Sequence, residues 1–597
     1  MVQMSNAEGL PSQIRPFPWA IFTTFLAAAA VLILLDMIDG VAWLKDVDDS
    51  LRAIQIRHLV NSGDWFDLTL PMIRSPEIYV SPWSRLVDLP YVAIVLLLRP
   101  LIGTDVALSV SFNVCPPLML SMFCGFAACS VRNLAGHAVA VISIPVSLTT
   151  AFLMTPAVWE FTPGRIDHHN VQIVLFAACL YGISSWNRFG GVVAGIALAM
   201  SAAVGLECLP FVVVAFAGVI IAWIYNIHGG QKFLLAMMPA CAIATPVLGI
   251  GLIGPGGFVS VQCDAFSAPY ISAFTAFPLA AVAVVLMMGK RKNMRLRFLA
   301  MALAGIAVLT AIIFLYPECL SGPYQMIDPL SRHLWLDNVE QEHSALVSLN
   351  PSVMLFLGIS LAILLLVAPV VVRETRAGQA AAAIVFAVAA ASMLMTFIQL
   401  RYFRFPFAFV PLLLPLFFVR LQQQPVLFGK WRILISLIGG IALPSVAAIS
   451  LEAVFDKPVE TPDPLTFMAV DSCKDQDFGV LTGLSAAKII APAGIALAIA
   501  ERAHDGISVA GIPFHRASPG IRRSLQAFVS DNEATRREAL ASFDYVAVCR
   551  FPLKSNPQEA PLYAALSAGQ EWPGLIRVAG PKPSDFQLFR IDHDRLR

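Results

Sequence analysis

Charge is scarce in this chain. Only 13% of its 597 residues are Asp, Glu, Lys or Arg, and the signs nearly cancel to a net charge of +1. A basic tract suited to nucleic acid is missing, so nucleic acid is excluded as a partner. Apolar residues fill the space instead, at 58% of the chain with a mean hydropathy of +0.74. A soluble chain of this length would not be so apolar, and many stretches reach the roughly 20 residues that cross a bilayer. The first apolar run, Trp19 to Ile38, lacks a small-residue cleavage site, so it reads as a retained span and not as a signal peptide.

Spans are expected at about 19–37, 106–130, 137–157, 171–186, 190–207, 209–226, 233–252, 270–289, 297–316, 352–372, 378–398, 403–420 and 432–451, thirteen in all. Basic residues in short loops set the orientation. Arg132, Arg188, Lys232, the cluster from Lys290 to Arg297, Arg373 with Arg376, and Arg420 with Lys430 and Arg432 share one side if the N-terminus is cytoplasmic. The opposite face then carries outer loops at 38–105, 158–170, 253–269 and 317–351, and a tail from 452. Leu89 to Leu101 is apolar but short and holds Arg99, and reads as an interfacial helix.

Cysteine placement gives an independent check. Cys115, Cys124, Cys129, Cys179, Cys208 and Cys241 lie in spans, while Cys263, Cys319, Cys473 and Cys549 all fall on the outer face. Disulfides persist in oxidising compartments. The pairs expected are Cys473–Cys549 within the tail and Cys263–Cys319 between two loops, with free thiols as the alternative.

From Asp456 the composition becomes that of a soluble domain. KIIAPAGIALAIAERA reads as strand, small-residue turn and helix; GISVAGIPF and YVAVCRF are β-rich, with the amphipathic TRREALASF between them. The tail is therefore expected to be a small α/β domain, a lid or stability module. His515 and Arg516 in PFHR form its one site-like motif, and a satisfied surface histidine is the plainer reading.

The few outer charges are concentrated in motifs, and charges beside a bilayer core tend to mark function. In the first outer loop, Asp46, Asp48 and Asp49 open an amphipathic helix carrying Arg52, Gln55, Ile56 and His58. Capping chemistry accounts for acids there, but three are more than a cap needs. In the same loop Trp65 and Trp83 are candidate aromatic-belt anchors, and Arg74 and Arg85 candidate contacts for anionic head groups. The second outer loop holds Arg165, Asp167, His168, His169 and Asn170; Asp-x-His offers a carboxylate and an imidazole to a cation, or is simply a polar turn. In the loop at 317–351, Glu340, Glu342 and His343 are candidates to close over a substrate, or a solvated charge cluster. Arg401 and Arg404 sit where they could grip a lipid phosphate, or snorkel.

In this order the motifs resemble the membrane-embedded C-type glycosyltransferases (the GT-C fold), and among them the catalytic subunit of oligosaccharyltransferase. That family has thirteen spans, an inside N-terminus and a soluble C-terminal domain on the outer face. The D-x(8)-R of DDSLRAIQIR matches its first motif, which implies a catalytic role for Asp48, with Asp49 beside it. GRIDHHN matches its second acidic motif at Asp167, with His169 in place of the second acid. VEQEH stands where the family places a metal-touching Glu, leaving Glu340 and Glu342 as equal candidates. The resemblance thus implies a divalent cation, Mg2+ or Mn2+, on Asp167, His169 and one of those glutamates, and lipid-phosphate contacts from Arg401, Arg404 and Arg165. The Trp-Trp-Asp by which that family reads its acceptor is lacking, since the one tail tryptophan is Trp572. A lipid or polysaccharide acceptor is then favoured over protein asparagine.

The expected fold is a polytopic α-helical membrane protein, GT-C-like, with a catalytic transmembrane domain at 1–451 and a soluble α/β domain at 452–597. The expected function is transfer of a sugar from a polyprenyl-linked donor at the outer face of a bacterial inner membrane, the N-terminus cytoplasmic and the tail periplasmic. Membrane lipids are the other partner. Asp48 acts as base or orients the acceptor. The alternatives are a flippase for a lipid-linked sugar, for which Glu207 and Pro210 interrupt a span, and a non-catalytic scaffold. A shared site requires Asp48 and Asp167 to approach within about 10 Å.

Overall fold

The computed structural model describes residues 16–39, 46–74, 77–136, 144–348, 351–422, 473, 476–502, 504, 506–550 and 560–596. Helix α1 (Trp19–Asp39) leads into an outer segment with α2 (Val47–Ser62) and the hairpin β1 (Thr69–Arg74) and β2 (Ile78–Val80). Then follow α3 (Asp88–Ile102), α4 (Thr104–Ala135), α5 (Ile144–Leu153), α6 (Thr155–Val158), α7 (His168–Ser185), α8 (Arg188–Val204), α9 (Leu209–Ile224), α10 (Gly230–Val259), α11 (Ala268–Met288) and α12 (Met294–Leu315). A second outer segment carries α13 (Pro329–Leu334) and α14 (Ala345–Ser348), before α15 (Pro351–Arg376), α16 (Ala380–Ile398), α17 (Arg404–Phe409) and α18 (Leu414–Gln422).

Among the described residues, eight helical segments are long and apolar enough to cross a membrane, and Ile144–Leu153, Arg188–Val204 and Leu209–Ile224 are shorter apolar helices. The span expected at 432–451 lies outside the described residues. Leu89 to Leu101 falls inside α3, whose 15 residues are too few to cross a bilayer unaided, and which packs along α4. The stretch expected as one span at 403–420 is broken into α17, a 3-10 turn at Val410–Leu413 and α18. Pro406, Pro411 and Pro415 each remove a backbone donor there, and the surrounding helices bury the segment.

Close helix contact rests on small residues. Gly191 and Gly195 of α8 lie against α10, where a Cβ on Gly195 would collide with the Met237 carbonyl. Polar ties join neighbouring helix ends where the basic loops were expected. Arg132 Nη1 donates to Pro16 O (2.6 Å), Trp186 Nε1 to His228 O (2.9 Å), and Arg297 Nη1 to Trp223 O (2.6 Å).

A seven-stranded sheet caps the other end, in the order β2-β1-β4-β3-β5-β7-β6. Its tail strands are β3 (Ala487–Ile490), β4 (Ile507–Val509), β5 (Tyr545–Cys549), β6 (Leu575–Val578) and β7 (Phe586–Ile591). Strands and helices stand where the alternating apolar runs of the tail placed them, including helices Ala493–Arg502 and Glu533–Leu540. The sheet does not stop at residue 452, however. β1, from the first outer loop, pairs parallel with β4 through Ile73 and Val509, and Leu51 and Ile54 of α2 share one apolar cluster with Ile489, Ile495 and Val509 of the tail.

The outer pieces are also joined covalently and by ions. Cys263 is bonded to Cys319 and Cys473 to Cys549, with Cα atoms 5.1 and 5.7 Å apart. Arg516 Nε and Nη2 donate to the two oxygens of Asp264 (2.6 and 2.7 Å), Nη2 also donates to Gln262 Oε1 (2.7 Å), and His515 Nε2 lies 2.8 Å from Asp264 Oδ2. The reading of His515 as a satisfied surface histidine is therefore replaced by a half-buried clamp between tail and loop. Removing one partner of a buried ion pair leaves the other charge uncompensated, and His515 offsets only part of that. Arg516→Ala is expected to loosen the tail by about 3 kcal/mol. Limited proteolysis of the detergent-solubilised protein should then cut the tail well before the helices unfold; unchanged cleavage would refute the clamp.

Candidate active site

The two acidic motifs meet because the helices they open meet. Asp46 caps α2, accepting the Val47 N–H at Oδ1 (2.6 Å), and forms a reciprocal box with Asp49: the Asp49 backbone N–H donates to the Asp46 side chain, and Asp46 N–H to Asp49 Oδ2 (3.0 Å). The other oxygen of Asp49 accepts the backbone N–H groups of Ile166 (2.8 Å) and Asp167 (2.9 Å), and Arg165 Nη1 lies 3.3 Å from Asp49 Oδ2. Asp49 thus joins the two loops. Burial pushes its carboxyl up to about 7, against the pull of Arg165.

Asp48 joins a different group. One donor atom from each of Asp48, Asp167, His168 and His169 lies within 4.8 Å of the others, inside the about 10 Å that a shared site allows. Burial, then the charges of Asp167 and Asp46, hold the Asp48 carboxyl well above the usual carboxylate range, with Arg401 opposing. Asp167 caps α7 by accepting the His168 N–H. Burial works against its charge too, but His168, Arg404 and Arg165 outweigh it and hold Asp167 below the usual range. Burial opposes the charge on His168, and Asp167 and Glu207 overcome it, raising this imidazole above its ordinary value.

The donor set fits a divalent cation. It offers carboxylate oxygens and imidazole nitrogens, the mix that first-row divalent ions accept. Asp167 Oδ2 is buried with no hydrogen-bond donor among the described residues, although His169 Nε2 is 3.1 Å away. An unsatisfied carboxylate oxygen in such a place wants a positive ligand.

Three arginines surround this group. Arg404 Nη1 is buried, 4.0 Å from Asp167 Oδ2, with no hydrogen-bond partner among the described residues. Its Nε lies 3.5 Å from Glu160 Oε1, and Arg165 Nη2 holds the other oxygen of Glu160 at 3.0 Å. Arg401 pairs with Glu342 and donates to the Tyr324 hydroxyl (2.9 Å). The structure does not bring Glu340 or Glu342 into the group around Asp48. Glu342 is engaged by Arg401 and by Gln399 Nε2 (3.2 Å), and Glu340 is exposed.

Four features were not apparent from the motifs. His168, read as a spacer, supplies a donor to the group. Glu207 lies 3.0 Å from His169 Nδ1. Trp83 is no belt anchor: it is 6% exposed, lies under the Arg52 guanidinium (4.2 Å), and meets the His168 ring (5.6 Å) and the Phe514 ring of the tail (5.1 Å). Arg85 faces inward too, sharing Asp88 with Arg52 (3.0 and 2.9 Å) and pinning α2 to α3. The only signal for these pairs was the presence of charges in an apolar chain.

No protein-family model and no curated protein matches the sequence. Solved structures do match in fold. The archaeal oligosaccharyltransferase AglB from Archaeoglobus fulgidus, in complex with an inhibitory peptide and a dolichol-phosphate, aligns over 95% of this chain and 74% of its own, at 11% identity and TM-score 0.59. The apo form of the Archaeoglobus fulgidus oligosaccharyltransferase covers 96% and 75%, at 13% identity and TM-score 0.56. Its complex with Zn and sulfate covers 95% and 72%, at 13% identity and TM-score 0.53. The chain is thus similar in fold to an oligosaccharyltransferase along nearly its whole length.

Proposed function

We propose that this chain is a membrane glycosyltransferase that moves a sugar from a polyprenyl-linked phosphate donor to an acceptor at the outer membrane face. The carrying observation is the convergence of Asp48 and Asp167, 119 residues apart in sequence, on one largely buried group with two imidazoles, beside an arginine nitrogen that has no hydrogen-bond partner among the described residues. The dolichol-phosphate and the Zn in the similar structures support a lipid-phosphate donor and a divalent cation here. The ionisable group stands at helix ends and in the adjoining loops, which favours surface chemistry over a flippase.

Asp48, Asp167, His168 and His169 would hold the cation, which when bound would supply charge stabilisation for the departing phosphate. Arg404 Nη1 provides a free donor for a phosphate oxygen, and the N-termini of α2 and α7 add their partial positive charge. Asp48 orients the acceptor nucleophile with its second carboxylate oxygen and takes its proton. The bond from the anomeric carbon to phosphate breaks as the bond to the acceptor forms, so one displacement inverts the anomeric centre. In this reading the cation is a divalent ion, Mg2+ or Mn2+, the acceptor is a lipid or polysaccharide, and the site faces the periplasm.

Asp48→Ala and Asp167→Ala should each abolish transfer from a polyprenyl-linked sugar while the protein still folds. Full activity in both would sink the assignment. Asp49→Asn should behave differently, because it removes the charge that faces Arg165 in the joint between the two loops: it should lower the melting temperature, where Asp48→Asn should not.

Protonation should compete with the cation. Asp48 and His168 both hold their protons to higher pH than usual, so both must lose them to act as ligands. Cation affinity should therefore rise with pH and fall as pH drops. Calorimetric titration with Mn2+ at pH 7 should give apparent enthalpies that differ between phosphate and Tris buffers, reporting proton release. Equal enthalpies would contradict this.

A further inference from the structure

Helices α8 and α9 do not run into one another. Residues Gly205 to Cys208 separate them, and Pro210 in the first turn of α9 forbids a continuous helix. This break is held by α7, the helix that carries the two histidines. Gln172, one turn beyond His168, donates from Nε2 to Ser201 O (3.1 Å) and Gly205 O (3.0 Å), and accepts from Ser201 Oγ at Oε1 (2.6 Å). The break therefore has a fixed place, and it sets the Glu207 carboxylate, 9% exposed, against the histidines from the side away from Asp167.

The contacts of Glu207 constrain His169. Glu207 Oε1 is 3.0 Å from His169 Nδ1, and a carboxylate only accepts, so the proton of a neutral His169 resides on Nδ1. Its Nε2 then presents a lone pair to Asp167 Oδ2 at 3.1 Å. Two lone pairs in contact repel unless a proton or a metal cation lies between them. The same Glu207 oxygen lies 3.8 Å from His168 Nε2, while His168 Nδ1 meets Asp167 Oδ1. One carboxylate thus backs both imidazoles. A carboxylate behind a metal-binding imidazole fixes its tautomer and makes it a better donor.

We propose that Glu207 is a positioning residue of the cation site, holding His169 with Nδ1 protonated so that Nε2 and Asp167 Oδ2 share a divalent ion. This rests on the reading of Asp48, Asp167 and the two histidines as a cation site. Glu207 is not itself a ligand, since it stands outside the group whose donor atoms converge. The interruption that would suggest a transport pathway in this span serves instead to bring an outer-sphere carboxylate to α7.

The test uses the full chain in detergent and Mn2+ as probe, with free Mn2+ read by electron paramagnetic resonance. Glu207→Gln should raise the Kd for Mn2+ roughly 10- to 100-fold. Transfer at saturating Mn2+ should return to within a few-fold of the unsubstituted protein, a split that general misfolding would not produce. Glu207→Asp, which keeps the charge one methylene short, should lie between the two. In a His169→Ala background, Glu207→Gln should cost much less, because most of its effect acts through that ring and only the 3.8 Å contact to His168 remains. Unchanged Mn2+ affinity in Glu207→Gln, or an undiminished effect in the His169→Ala background, would overturn the proposal. Asp167→Ala separates the two readings. If it loses Mn2+ while Glu207→Gln keeps it, only the role of Glu207 falls; if Asp167→Ala also binds normally, the cation site itself falls.

Discussion

The carboxylate of Asp49 joins two parts of the chain that are 117 residues apart, and the geometry of the candidate site follows from that joint. One oxygen takes the Ile166 and Asp167 amides, and the other takes the Asp46 amide and faces Arg165. A buried carboxylate is costly unless its oxygens are satisfied, and here the partners come from both loops at once. Neither loop can shift without stranding a charge. The N-termini of α2 and α7 are therefore held close together, and their positive dipole ends lie beside the candidate site.

From this joint the charges spread inward in a chain of shared carboxylates. Glu160 is divided between Arg165 and Arg404, and Asp88 between Arg52 and Arg85. Sharing matters in an apolar protein, since each acid neutralises more than one buried base. The tail takes part in the same construction. Phe514 packs on Trp83, Trp83 packs on His168, and Arg516 grips Asp264 beside the Cys263–Cys319 bridge. With β1 completing the tail sheet, the outer loops and the tail form one interlocked body over the site.

Much of the architecture was legible in local pattern. Among the described residues, eight of the apolar runs form helical segments of bilayer length, and the described strands and helices of the tail stand at their expected positions. Asp48 and Asp167 stood out because charge is rare and because their order matched a known layout. Residues were misread where their role depends on a distant partner. Trp83 and Arg85 look like interfacial residues in sequence, but Arg52 and Asp88 draw them inside. His515 looks like a surface residue until Asp264, 251 positions away, comes to meet it. The glutamates at 340 and 342 fit a motif by spacing, yet Arg401 engages one of them.

The sequence by itself determined that the chain is rich in apolar helices of membrane-spanning length and that its tail alternates strand and helix. Those properties follow from composition and periodicity, which are local. Only the tertiary structure decided between neighbouring acids: Asp48 faces His168 and His169, while Asp49 is consumed by backbone amides. Adjacent residues on a helix diverge by about 100°, so identical side chains meet different surroundings. What surrounds each is set by segments more than a hundred residues away, and no local pattern carries that information.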